Sequence, residues 1–140
     1  MSNFISDTDY KAHVRDNQLQ MIIDADDTIL DTVELTAIAV VKDALYQYYD
    51  TAHIFAQTGT NRAPQVVRWC VCLAVYYLYE RIPDKLVPER VKKNYDDTLV
   101  MLQEISDRKL SLDLPLKKDD EEKPISKFRW NSQTMREQQP

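Results

Sequence analysis

The chain has 140 residues, 44% apolar and 29% charged, a balance that suits one globular domain with a single core. It holds one glycine, Gly59, where average usage gives about ten, and this shortage excludes hairpin-rich β folds and glycine-lined phosphate loops, both of which need left-handed or unobstructed backbone. A formal charge of −5 argues against condensation on nucleic acid by counterion release, and the longest apolar run, Val66 to Tyr79 broken by Arg68, is too short to cross a bilayer.

In chain order, Ser6 or Asp7 caps a short helix through Val14, with Asp9 suited to its positive end. Residues 16–23 read as a short helical or turn piece with Leu19, Ile22 and Ile23 buried. Asp24-Ala-Asp-Asp-Thr-Ile-Leu reads as a polar loop. A long helix is expected from Thr32 to Ile54, because Ile38, Val41, Leu45, Tyr48 and Ala52 form one stripe. Asp31 is its expected cap, with Glu34 closing a capping box. Residues 57–63 break the pattern as a loop.

Pro64 opens a third helix, a position that suits proline. From Val66 this helix is apolar on nearly every face, so other elements must surround it, and Val67, Cys70, Leu73 and Ala74 are expected core. It ends near Arg81, because Pro83 cannot continue it. Pro88 opens a fourth helix with the stripe Val91, Tyr95, Leu99, Leu102 and Ile105, which fades by Lys109. The expected fold is therefore all-α, a compact bundle of about four helices with a central apolar helix and an extended C-terminal tail. Residues 1–112 form the helical domain and 113–140 the polar tail.

Charge is unevenly spread. Asp7 to Asp50 carries ten acids against Lys11, Arg15 and Lys42, whereas the last 28 residues carry six acids and six bases. The tail contains the charge run 117–123 and scattered apolar residues Ile125, Phe128, Trp130 and Met135. An apolar side chain in such a segment gains nothing in the monomer, so these four are expected to anchor a partner. Tyr46, Tyr48, Tyr49 and Tyr76, Tyr77, Tyr79 stand out as core or interface aromatics.

Little points to catalysis. His13 and His53 are isolated, and no metal-protease, paired-cysteine or nucleophile-elbow motif occurs. Cys70 and Cys72 stand about 200° apart on a helix, unable to bridge or share a metal, and read as small core residues of a reducing, intracellular setting. The N-terminus has no signal-peptide pattern. Asp24, Asp26 and Thr28 begin like a calcium loop, but Ile29 and Leu35 stand where glycine and glutamate are required. No catalytic residue, metal or cofactor is expected.

The stretch Ala63-Pro-Gln-Val-Val-Arg-Trp-Cys-Val-Cys-Leu-Ala-Val-Tyr-Tyr-Leu-Tyr, a proline-bearing loop, and the helix from Val87-Pro-Glu-Arg to Ile105 resemble the Mu-like tailed-phage head–tail connector family. Asn94-Tyr-Asp-Asp-Thr-Leu99 occupies the centre of that helix, and Phe4-Ile-Ser-Asp7 and the acidic loop at Asp24 match the family's order. The resemblance covers Phe4 to Leu114 and leaves the tail beyond Pro115 outside. Arg108 stands where the family often has glycine, and the acidic loop lacks its usual glycine. The resemblance implies a virion structural protein of the phage neck, made in the host cytoplasm. Its subunits would form a homo-oligomeric, dodecameric ring under the portal protein. That ring would extend the DNA channel without binding DNA specifically, dock the tail or stopper protein, and engage no membrane. By the same resemblance the C-terminal segment embraces the portal, with Phe128 and Trp130 as anchors. The competing readings are a stand-alone helical adaptor that binds a protein through its tail, and a small enzyme using the acids near Asp24.

Overall fold

The computed structural model describes residues 4–15, 19–20, 22, 24–81 and 87–118. Within them the order is α1 (Asp7–His13), α2 (Asp27–Leu45), α3 (Thr51–Ala56), a 3-10 turn (Gly59–Asn61), α4 (Pro64–Glu80) and α5 (Glu89–Ser106). Among the described residues the regular structure is helical, as expected.

α4 is the centre. Every residue from Trp69 to Val75 is buried, and seven consecutive helical positions face all directions. α1, α2 and α5 pack against it, and α2 also touches α5. Val67, Cys70, Leu73, Ala74 and Leu102 lie in the core as expected. Pro64 occupies the first turn, where its missing N–H costs nothing. Both cysteines are free thiols, and burial raises the pKa of each, Cys70 strongly.

The expected Thr32–Ile54 helix is two helices with different starts. Asp26, not Asp31, caps α2, its carboxylate accepting the Thr28 N–H at 2.8 Å. The segment expected as a loop to Leu30 is therefore already helical from Asp27. α2 ends at Leu45, and Asp50 caps the separate α3 by accepting the His53 N–H at 3.2 Å. Ala52, expected on the buried stripe, is exposed.

Glu34 is likewise no capping-box residue. It is fully buried on α2 and accepts the Tyr10 hydroxyl of α1 at 3.0 Å. Tyr10 is itself fully buried. Burial and the facing Glu34 carboxylate push its phenol far above the usual range, so it stays a donor.

On α5 the buried residues are Val91, Thr98, Leu102 and Ile105. Leu99 is exposed and Tyr95 only half-buried, which corrects the expected stripe. The spacing 91, 95, 98, 102, 105 follows the helical repeat more closely than a path through 99. Thr98 tolerates burial because its hydroxyl donates to the Asn94 carbonyl at 2.7 Å. Tyr95 stacks on Tyr76 of α4 with ring centres 3.8 Å apart.

The N-terminal corner is tied by one arginine. Ser6 caps α1 with Asp9, whose carboxylate accepts the Ser6 N–H at 2.7 Å. Arg62 then grips the same carboxylate through both Nη atoms, at 2.6 and 3.0 Å, and donates to the Phe4 and Gly59 carbonyls. Gly59 has φ 57°, a left-handed turn that suits glycine and aims Arg62 inward. Of the short piece expected at 16–23, Ile22 is buried and Leu19 partly so, while Ile23 lies outside the described residues.

Two predictions follow from these buried polar contacts. Tyr10→Phe removes a donor from a fully buried carboxylate and should destabilise the fold by about 1–3 kcal/mol in urea titration. Burial raises the Asp9 carboxyl, but the Arg62 guanidinium and Ser6 outweigh it and hold it below its ordinary value of 3.8. A depressed carboxyl adds stability that is present above that ordinary value and fades as pH falls through the lower folded one. Arg62→Ala should therefore cost about 1–3 kcal/mol at neutral pH, and urea midpoints should show the gap to wild type narrowing below pH 3.8.

Candidate functional site

The chain does not leave the body where α5 ends. After Ser106 it turns back, and residues 110–118 run across the C-terminal end of α2. The turn is a Schellman motif: the Lys109 N–H donates to the Glu104 carbonyl at 2.8 Å and the Arg108 N–H to Ile105 at 3.0 Å. Such a turn requires one left-handed residue, and here it is Arg108, with φ 63°. Arg108 stands where the resemblance leads one to expect glycine, and among the described residues it is the one non-glycine with a left-handed backbone. Arg108 has a compensating contact, its guanidinium lying 4.2 Å from the centre of the Tyr48 ring.

The returning segment engages all three tyrosines that follow α2. The Tyr49 hydroxyl accepts the Leu112 N–H at 2.8 Å. Lys117 places its ammonium 3.9 Å from the centre of the exposed Tyr46 ring. Tyr49 and Leu116 form an antiparallel bridge, in which Asp50 N–H donates to Pro115 at 2.9 Å and Lys117 N–H to Tyr48 at 3.0 Å. Leu110, Leu112 and Leu114 pack partly buried on the core. Residues 113–118, expected as the start of the polar tail, are therefore laid on the body.

These residues enclose a groove of about 430 Å³, lined by Tyr48, Ile105, Arg108, Leu110, Leu112 and Leu116 among others. The expected anchors Ile125, Phe128, Trp130 and Met135 lie outside the described residues. The sequence reading singled out the tyrosines but missed Arg108 and the leucines at 110–116 as their partners. The available signal was the alternation Leu110-Ser-Leu-Asp-Leu-Pro-Leu, which places an apolar residue at every second position of an extended segment.

Elsewhere the surface is less organised. Asp24, Asp26 and Asp27 are exposed at the start of α2. Among the described residues no group of three or more His, Cys, Asp or Glu side chains gathers as metal ligands. No described helix is long and apolar enough to cross a membrane. His13, partly buried near Arg68, has its pKa lowered by burial and by that charge.

A family model described as Bacteriophage Mu, Gp36 matches residues 4–128. The chain belongs to that bacteriophage family. Searches of curated proteins and of solved structures gave no match. The Gp36 match runs beyond Leu114, where the sequence resemblance was expected to stop. It takes in the return segment and the tail as far as Phe128.

Arg108 gives a direct test of this corner. Arg108→Ala keeps the left-handed strain and loses the Tyr48 contact. Arg108→Gly loses the contact but removes the strain, about 1–2 kcal/mol. In thermal or urea unfolding the glycine variant should stay within about 1 kcal/mol of wild type, with the alanine variant lower by about the strain energy.

Proposed function

We propose that this chain is a head–tail connector subunit of a tailed-phage virion, acting through its surfaces rather than as an enzyme. In this reading copies form a ring, dodecameric by resemblance, beneath the portal protein. The ring continues the DNA channel and offers its far side to the tail or stopper protein. The observation that carries the reading is the match of residues 4–128, a span that holds the helical body and Phe128, to a bacteriophage Mu family.

Charge and architecture support it. Asp7, Asp24, Asp26, Asp27 and Asp43 are exposed on the first half of the chain, and an acidic surface repels DNA instead of holding it by counterion release. A channel that must let DNA slide gains from that repulsion. Ring closure needs a heterologous interface of fixed rotation, which a body built around one buried helix is stiff enough to keep. Phe128 and Trp130 in the C-terminal tail then meet the portal as aromatic anchors of the kind that dominate binding energy.

The test is light scattering with the portal protein of the same phage, for the full chain and for a truncation after Lys118. That end point keeps the bridge between Tyr49 and Leu116, so the body stays intact. The full chain should add to the portal in a fixed ratio, and truncation should weaken this at least about tenfold, one strong anchor's worth. If both chains ignore the portal and remain monomeric, the connector reading is wrong and a stand-alone adaptor takes its place.

A further inference from the structure

The outer face of α2 lacks the charges that the wet side of a helix ordinarily carries. Between Asp27 and Lys42 its exposed positions are Thr28, Thr32, Leu35, Thr36 and Ala39, at helical spacing along one face, and none is charged. Leu35 is 60% exposed. The Thr32 and Thr36 hydroxyls donate to the Thr28 and Thr32 carbonyls, at 2.9 and 2.8 Å, so their protons are already placed within the helix. A second apolar patch stands on α5, where Leu99 and Val100 are 36% and 57% exposed.

We propose that these two faces are the halves of one contact between copies of this chain, Leu35 of one copy packing against Leu99 and Val100 of the next. The inference deepens the ring reading and rests on it, since it says which surfaces join neighbouring subunits.

Three observations select this occupant. The first is the pattern of charge. The centre of a protein interface is depleted of charge and its rim keeps it, and both faces follow that pattern, with Lys42 and Asp43 bordering the first and Asp96 and Asp97 the second. The second is net charge. The exposed charges of residues 24–46 are four acids against Lys42, so two α2 faces brought together repel. Those of residues 89–109 are five bases against four acids, so an α5 face meets α2 without that repulsion. The third is size. Packed helices stand about 8–10 Å apart, and Thr32 and Ala39, one turn to either side of Leu35, are small enough to admit two apolar side chains beside it. Because the faces lie on different helices, the contact is heterologous, and each copy keeps one face for a further neighbour.

The experiment is disulfide trapping between two full-length variants, Leu35→Cys and Val100→Cys, mixed and oxidised with and without the portal protein of the same phage. Cys70 and Cys72 are buried and stay out of the reaction. An affinity tag on one variant separates the mixed dimer from either homodimer. The proposal expects the mixed dimer to dominate the linked species and to exceed the yield of Thr60→Cys with Val100→Cys, a control at an exposed position on the 3-10 turn. Adding Ala39→Arg to the Leu35→Cys chain puts a charge into the face at an exposed position, and should lower the mixed yield at least about tenfold. A mixed yield no higher than the control in either condition overturns the proposal, as does a yield that Ala39→Arg leaves unchanged. A dominant Leu35→Cys homodimer overturns it in favour of a symmetric α2 contact. Portal binding is read separately by light scattering. Mixed dimers from a chain that ignores the portal defeat the connector reading alone, and a chain that joins the portal without mixed dimers defeats this pairing of faces alone.

Discussion

A helix that is apolar in every direction from Trp69 to Val75 can exist in water only if other elements cover that stretch. This constraint on α4 organises the molecule. Each side chain fully buried there contributes roughly 1.5–3 kcal/mol, and α1, α2 and α5 supply the surfaces that bury it. Each covering helix then spends one face on α4 and keeps the other for solvent or partners. α5 shows the division plainly. Val91, Thr98, Leu102 and Ile105 face inward, while Lys92 with Asp96 and Lys93 with Asp97 form exposed pairs one turn apart, each worth only a few tenths of a kcal/mol.

The covering helices must also be stopped and joined, and those junctions carry the functional geometry. α2 ends at Leu45, which leaves Tyr46, Tyr48 and Tyr49 beyond the helix, where their rings and hydroxyl meet the returning C-terminal segment. That segment can return only because α5 closes in a left-handed turn at Arg108. An arginine tolerates this strained position because its guanidinium lies over Tyr48. Strain is thus kept where the body meets the tail, a location that favours a surface with a role beyond stability.

Much of this was legible in the sequence. The bounds and burial of α4 follow from Pro64, the apolar run and Pro83, and the all-helical class follows from the near absence of glycine. The helix-boundary errors share one cause, a stripe read across local punctuation. Ile38 to Ala52 keeps helical spacing, and that spacing outweighed Asp26 and Asp50, the two aspartates that cap α2 and α3. Glu34 fitted a capping box in sequence, but its partner is Tyr10, 24 positions earlier, and no local pattern reports such a contact. The apolar stripe passes through Leu99, whereas helical geometry puts position 98 inward, where the threonine hydroxyl is satisfied by its own helix. The tail-bearing corner was half visible: the tyrosines were, whereas the segment that covers them depends on where the chain goes after Arg108.

Hydrogen–deuterium exchange on the full chain, alone and with the portal protein of the same phage, tests the central claim most directly. The account predicts that α4 is strongly protected in both states and that portal binding adds protection at residues 108–130, the corner and its tail. Added protection confined to the exposed face of α5, with residues 108–130 unchanged, would contradict it.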